Sequence, residues 1–422
     1  MKKTGRPKLL VISPIANLSL LEMGCRVRIF NILRAAREKF EITFLSTSNQ
    51  RDILTDKKVL QSLCSRVIIL PSCYTKNFIT RALHRTLSGL ACYLFGIPKS
   101  YYLGSLNLSP KRVKKALDND EFAIVLFEYW YSAASLSYFK NKGIPCVLDM
   151  HDILWQWRAA QIDAIGSFNN AGKSRKGPGR LYQKFLIKRY RTIEEKIWRQ
   201  FSQIISINHV EDEYLRQKIP QNISTLIAGM GVDLAEWPYC WKPAKPQRII
   251  FYGSLSGEQN EQAALRCANR IMPLVWPKVP DAELWLVGAR PSNKLQALAG
   301  DSRVKITGFI ERVQETLASA TVMICPLKGT YGFRSRVIEA MALGVPVIAT
   351  DEAIYGMNLD NERGLIIQNN DQGIAEAVNK FLASAEQAKK QSLFARKQIE
   401  EKFSFQDTYG RITSFLVSCL RD

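Results

Sequence analysis

The sequence predicts an α/β chain built from two Rossmann-like, doubly wound domains. Three observations predict it. Short apolar runs bounded by turn residues alternate with stretches of helical spacing, which is the pattern of parallel strands joined by crossover helices. That alternation occurs twice, on either side of a stretch bearing Pro238, Pro243 and Pro246. The 422 residues suffice for two or three ordinary domains, and a hydrophobic content of 46% is normal for a full core.

In the first series, Lys8 to Ser13 reads as a buried strand ending at Pro14. A loop leads to Gly24, a helix spans Arg26 to Lys39, and Phe40 to Ser46 is the next strand. Val67 to Leu70, Phe122 to Tyr129 and Pro145 to Met150 read as further strands. Phe78 to Phe95 is helical in spacing and mixes Arg81, His84 and Arg85 with leucines and aromatics. Such a basic amphipathic helix either lies in a lipid interface or packs within the domain. Gly166 to Arg180 is basic and glycine-rich, a surface loop that contacts acidic headgroups, closes over substrate or merely connects. A charged helix, Leu181 to Gln200, a strand, Gln203 to Ile207, and a helix, Val210 to Lys218, complete this half. The expected N-terminal domain is 1–235, followed by a stiff linker at 236–247.

The second series, 248–403, starts with the strand Arg248 to Tyr252. Strands at Leu284 to Val287, Val304 to Thr307 and Thr321 to Leu327 follow. Helices fall at Glu261 to Val275, Val313 to Ala320, Arg334 to Leu343, Gly373 to Ala383 and Ala385 to Lys402. The last segment, 404–422, is amphipathic.

Composition narrows the function. A net charge of +21 attracts polyanions: an acidic membrane surface, nucleic acid or an anionic substrate. Nine cysteines without a C-x-x-C pair predict reduced thiols in a cytosolic setting, and three histidines argue against a histidine-rich metal centre. No signal peptide is evident, since Leu9 to Ile12 is too short an apolar core. No run reaches the roughly 18–20 apolar residues of a spanning helix.

The stretch from Gly329 to Val347 carries the chemistry. An apolar strand leads into Gly329, Thr330, Tyr331, Gly332 and Phe333, and a helix with apolar Val337, Ile338, Met341 and Ala342 follows. Glycines let backbone approach a ligand, and a helix N-terminus favours an anion. Arg334 and Arg336 add guanidinium forks that fit phosphate. Glu339 lies a little over one turn along and can accept two hydrogen bonds from a ribose diol. The alternative is an ordinary βαβ unit with solvated arginines. In the first half, Asp149-Met150-His151-Asp152 follows a strand, where ligands of open α/β sheets sit. His151 can bond a sugar hydroxyl. Asp152 can orient it or cap the next helix.

The order Gly-loop, basic residue, then Glu339-Ala340-Met341-Ala342-Leu343-Gly344-Val345-Pro346-Val347 resembles the signature of retaining GT-B glycosyltransferases, the "glycosyl transferases group 1" family. Ile250-Phe251-Tyr252-Gly253-Ser254-Leu255, Leu286-Val287-Gly288 and Thr307-Gly308-Phe309-Ile310 resemble further family landmarks. Gly231-Val232-Asp233 resembles the turn closing the family's first domain, with Met230 in place of asparagine.

The resemblance implies two domains facing a cleft, and a last helix that returns to the first domain. It implies retaining transfer of a sugar from a nucleoside diphosphate donor to an acceptor hydroxyl, without a required metal or cofactor; no Asp-x-Asp motif is present. Gly24, Gly253, Ser254, Phe309, Ile310, Gly329 to Phe333 and Glu339 are the expected donor contacts. His151, Asp152, Arg334 and Arg336 are the expected catalytic groups, and Arg28, on the first helix, an acceptor or domain-cleft residue. Two departures stand out. Tyr331 replaces the first of two glutamates spaced eight apart, and Ser254 and Gln259 replace the family's basic pair. Arg334 and Arg336 are the expected substitutes. The expected partners are a nucleotide-sugar donor, a lipid-linked or saccharide acceptor and an acidic membrane surface, without nucleic acid, for an enzyme peripheral on the cytoplasmic membrane face. An epimerase-like enzyme on the same fold and a non-catalytic polyanion-binding protein are the alternatives.

Overall fold

The computed structural model of the protein describes residues 5–18, 24–48, 53–73, 78–118, 120–160, 179–329 and 332–420. Two compact units emerge, one comprising Met1–Ala228 with Tyr409–Asp422, the other Gly229–Thr408.

The first unit holds a seven-stranded parallel sheet of order β3-β2-β1-β4-β5-β6-β7. Its strands are β1 (Lys8–Ser13), β2 (Glu41–Ser48), β3 (Arg66–Pro71), β4 (Ile124–Glu128), β5 (Cys146–Asp149), β6 (Gln203–Ser206) and β7 (Ser224–Ile227). Every residue of β4, β5 and β6 is buried, as expected of strands covered by helices on both faces. The crossovers are α1 (Gly24–Ala36), α2 (Ile53–Leu63), α3 (Phe78–Phe95), α4 (Lys99–Asn107), α5 (Pro110–Leu117), α6 (Leu136–Lys140), α7 (described over 154–160), α8 (Arg180–Trp198) and α9 (His209–Arg216). Trp130 and Trp198 join Phe127, Phe139 and Phe201 in the core beneath the sheet. The order reverses between β1 and β4, so the crevice favoured for ligands lies at the carboxyl ends of those strands.

The second unit holds a six-stranded parallel sheet of order β10-β9-β8-β11-β12-β13. Its strands are β8 (Arg248–Tyr252), β9 (Glu283–Val287), β10 (Val304–Gly308), β11 (Val322–Cys325), β12 (Val347–Ala349) and β13 (Leu365–Ile367). Helices α10 (Glu258–Arg266), α11 (Met272–Val275), α12 (Asn293–Gln296), α13 (Val313–Ala318), α14 (Ser335–Ala342), α15 (Asp371–Ala383) and α16 (Ala385–Lys402) connect them. Here the order reverses between β8 and β11, and α14 follows β11. The apolar stripe read from the sequence buries Val337, Ile338, Met341 and Ala342 completely.

The boundary differs from the linker expected at 236–247. That stretch is bound along the second unit: Cys240, Lys242 and Ala244 donate backbone N–H groups to Leu343, Ala318 and Ser319 at 2.9–3.1 Å. Trp241 Nε1 donates to the Ala320 carbonyl at 2.8 Å. The prolines keep the strap extended, but its hydrogen bonds fix it to one unit. The division falls instead after Ala228. Helix α17 (Arg411–Ser418) groups with the first unit.

Candidate functional site

In the second unit, β8 and β9 each end in a glycine that the geometry requires. Gly253 has φ 147° and Gly288 φ 155°. A Cβ on Gly288 would stand 1.8 Å from the Gly253 carbonyl, so the two strand ends touch backbone to backbone. A Cβ on Gly253 would stand 2.2 Å from Arg336 Nη1 and 2.4 Å from its Cζ. The guanidinium therefore lies against the glycine turn. Arg336 Nη1 donates to the Tyr252 carbonyl and to Asn260 Oδ1, both at 3.0 Å. Asn260 Nδ2 in turn donates to the Ser254 carbonyl at 2.6 Å. The Asn260 side chain of α10 and the main-chain carbonyl of Tyr252 thus hold this α14 cation in place.

Arg334 precedes α14 and reaches Gln259, with Nη2 to Oε1 at 3.5 Å. Gln259 Nε2 donates to the Lys328 carbonyl at 2.8 Å. So the position where the family's basic pair is missing touches the arginine expected to replace it. Among the described residues no side chain caps the N-terminus of α14; the Val337 N–H turns back to the Arg334 carbonyl at 3.0 Å, and the helix end favours an anion. Gly329, with φ 99°, donates its N–H to the Glu352 carboxylate. Gly332, at φ 76°, continues the turn. Thr330 and Tyr331 lie outside the described residues.

Glu339 is half-buried one turn into α14. Burial raises its pKa above the usual carboxylate value, against hydrogen bonds from Ser335 and Tyr252 and the charge of Arg336. The Tyr252 phenol is pushed up by burial and then by Glu339. Sequence reasoning missed Tyr252 and Asn260. Tyr252 looks like an ordinary strand residue, and only the fold sets Asn260 beside Arg336.

Three further donor contacts were expected at Phe309, Ile310 and Phe333. Phe309 and Ile310 follow β10, the edge strand two places from β8, and the Phe309 ring is 70% exposed. Exposure rules out a core role for that ring. The Phe333 ring packs on Phe403, with centroids 6.2 Å apart, so this side chain is engaged in packing.

The first unit contains a second cluster at the ends of β4 and β5. Arg28, expected as an acceptor or domain-cleft residue, is fully buried. Its Nε and Nη2 grip both oxygens of Asp149 at 2.8 and 2.7 Å, and Nη1 donates to the Ala228 carbonyl at 2.9 Å. The burial has a simple cause: a cation leaves water only when its fork is filled. Burial pushes the Asp149 pKa up, but the guanidinium outweighs it and holds the carboxylate ionised below its usual value. Glu128 moves the other way, raised by burial and by the charge of Asp149.

His151 Nε2 lies 2.7 Å from Glu128 Oε2. Burial lowers the His151 pKa to about 4, with Arg28 adding to the effect and Asp149 opposing it. Burial thus favours the neutral imidazole of His151, while burial and the charge of Asp149 favour the protonated carboxyl of Glu128. The His151 ring also stacks on Tyr129, centroids 3.9 Å apart and 8° from parallel. Both residues adopt left-handed φ, 61° for His151 and 64° for Tyr129. Two such neighbours at the carboxyl ends of adjacent strands mark a constrained centre. Glu128, Asp149 and His151 bring ligand atoms within 4.8 Å of one another, but Arg28 occupies both Asp149 oxygens and places a positive charge where a cation would sit. Glu128 escaped sequence reasoning, although an acid closing the apolar run Ile124–Glu128 was a signal.

Two buried acids, Glu194 and Glu211, bind the backbone that follows Asp152. Leu154 and Trp155 donate their N–H groups to Glu194 at 3.0 and 2.9 Å, and Ile153 donates to Glu211 at 2.8 Å. These bonds fix the turn that follows His151. Gly24 opens α1 and is exposed. Residues 161–178, most of the basic loop read from the sequence, lie outside the described residues.

Comparison with known proteins places this geometry. Residues 246–384 match the family model described as "Glycosyl transferases group 1". A phosphatidyl-myo-inositol mannosyltransferase of Mycolicibacterium smegmatis is 28% identical over 158 residues, 35% of this chain and 40% of that protein. Its counterpart in Propionibacterium freudenreichii is 24% identical over 151 residues, 34% of this chain and 37% of that protein. The chain thus spans well under half the length of either mannosyltransferase. Among solved structures, sucrose-phosphate synthase from Thermosynechococcus elongatus superposes with a TM-score of 0.65 at 14% identity, covering 98% of this chain and 99% of that one. TarM superposes at 0.66 with 11% identity over the whole of both chains. These likenesses establish the fold class, two parallel-sheet α/β domains of the GT-B type.

Proposed function

We propose that this chain, which carries a group 1 glycosyltransferase domain on a GT-B-type fold, moves a sugar from a nucleoside diphosphate to an acceptor hydroxyl with retention of anomeric configuration. The observation that carries the reading is the guanidinium of Arg336 locked on Gly253, beside Glu339 and the uncapped N-terminus of α14.

In this reading Glu339 accepts the ribose hydroxyls. The N–H groups at the start of α14, with Arg334 and Arg336, face the diphosphate. Negative charge builds on that diphosphate as the sugar–oxygen bond breaks, and fixed donors stabilise it without reorganising. Arg334 reaches Gln259 at 3.5 Å, and Gln259 is itself tied to the Lys328 carbonyl. Arg336 is held by Tyr252 and Asn260 and serves as a preset charge. His151 is held neutral in the first unit, its Nε2 engaged by Glu128; in this role it orients a sugar hydroxyl and holds no charge.

Solved relatives of the fold support a nucleotide-sugar donor: the Anabaena protein HepE was solved in complex with UDP and with UDP-glucose. The mannosyltransferase relatives favour a lipid-linked acceptor, and with it a cytoplasmic enzyme peripheral on the membrane in glycolipid or surface polysaccharide synthesis. The test is to incubate the protein with UDP-, GDP- and ADP-sugars and follow nucleoside diphosphate release and product stereochemistry by NMR. Release of one nucleotide with an axial donor giving an axial product supports the reading. Inversion, or a free epimerised sugar nucleotide, contradicts it.

A further inference from the structure

Helix α3 is built inside out. Thr80, His84, Ser88, Ala91 and Cys92 turn toward the unit, and Ser88 is its only fully buried residue. The apolar stripe faces water. Ile79, Leu83, Leu87, Leu90 and Leu94 recur at three- and four-residue spacing, and each is exposed, from 39% to 74%. Phe78 and Phe95 extend this face at the two ends, 82% and 58% exposed. Monomeric proteins rarely present so large a contiguous apolar patch without use for it.

Helix α8 continues the patch. Tyr182 packs on Tyr93 with ring centroids 5.2 Å apart and the rings tilted by 41°, and Arg189 Nε donates to the Phe95 carbonyl at 3.0 Å. That contact brings Leu181, 85% exposed, and the half-exposed Phe185 beside the end of α3. Arg81, Arg85, Lys184 and Lys188 are exposed on the same two helices, and α3 contains no acid.

We propose that α3 and the start of α8 form an interfacial docking face for an anionic lipid surface, with the leucine stripe in the acyl boundary and the cations at the headgroups. Charge complementarity selects this occupant. A second copy of the chain would set the same four cations against their equivalents. The segment 161–178, which carries Lys173, Arg175 and Lys176 against Asp163, has the same sign as the face. No helix among the described residues is long and apolar enough to cross a membrane, so the attachment is by a helix lying in the interface. The proposal does not depend on sugar transfer.

The test is sedimentation of the full chain with vesicles of phosphatidylcholine alone and of phosphatidylcholine with phosphatidylglycerol. Binding is expected with the anionic vesicles, weakening with salt. The triple substitution Leu83→Ser, Leu90→Ser, Leu94→Ser should lose it roughly tenfold or more at unchanged melting temperature. Arg81→Gln with Arg85→Gln should bind more weakly and with a shallower salt dependence. Failure of the wild type to sediment with anionic vesicles at low salt overturns the proposal. So does a wild-type dimer that the triple substitution converts to monomer without any vesicle binding. Equal vesicle binding by wild type and triple variant also overturns it, by moving the contact elsewhere.

Discussion

The guanidinium of Arg336 lies where the side chain of any residue but glycine at 253 would begin: a Cβ there would stand 2.2 Å from Nη1. The φ of 147° at Gly253 is a second reason for glycine. Gly253→Ala is therefore expected to destabilise the protein by about 2–3 kcal/mol. Arg336→Ala should remove the steric part of that cost but not the backbone part. A double-mutant cycle by urea unfolding should give a coupling of about 1 kcal/mol or more between the two positions. Additive effects would mean that the arginine moves aside freely.

Glu339 is raised by burial in the unliganded site. Ribose hydroxyls donate to its ionised form, so nucleotide binding should strengthen as pH rises through that raised pKa. Glu339→Gln should weaken binding by roughly 1.5–3 kcal/mol, the range for a hydrogen bond to a charged group, and lose this pH dependence. Calorimetric titration at several pH values measures both.

His151 has a folded pKa depressed from 6.5 to about 4. The stability it contributes is fully present above its ordinary pKa and lost as pH falls through the folded one. Native stability should therefore fall from pH 6.5 toward pH 4, and His151→Asn should flatten that limb. An imidazole resonance of the folded protein that titrates at the ordinary value would contradict the burial argument.

Glu194 runs in the opposite direction. Burial pushes it from 4.5 to about 8, against two backbone N–H donors. Its contribution is fully present below the ordinary value and is lost as pH rises through about 8. Glu194→Gln should reduce the loss of stability between those limits. Glu194→Ala should cost about 1–3 kcal/mol more generally, because the N–H groups of Leu154 and Trp155 lose their partner. Denaturant midpoints across pH separate this limb from that of His151.

The strands and helices were legible wherever one period dominated. β1 and α3 have the bounds read from Lys8–Ser13 and Phe78–Phe95, because apolar runs and three-to-four spacing are local signals. The glycines at 253, 288 and 329 were legible for the same reason, as strand ends followed by turns. What a helix face meets was not legible. The spacing of α3 identified an apolar stripe, but spacing does not say that the stripe points to water. Arg28 read as an acceptor or domain-cleft residue, and its ion pair was not legible because the partner, Asp149, is 121 residues away in the chain. Glu194 and Glu211 likewise cap a turn that lies far before them in sequence. The strap at 236–247 read as a linker from its prolines, and only its hydrogen bonds to the second unit show otherwise.

In the proposed function, Gly253, Arg336 and Glu339 form a nucleotide site on the second unit. The most direct test is thermal-shift binding of UDP, GDP and ADP to the wild type, Arg336→Ala and Glu339→Ala proteins. One nucleotide should raise the wild-type melting temperature by mass action and fail to do so in both variants. Equal shifts in wild type and variants, or none with any nucleotide at saturating concentration, would contradict it.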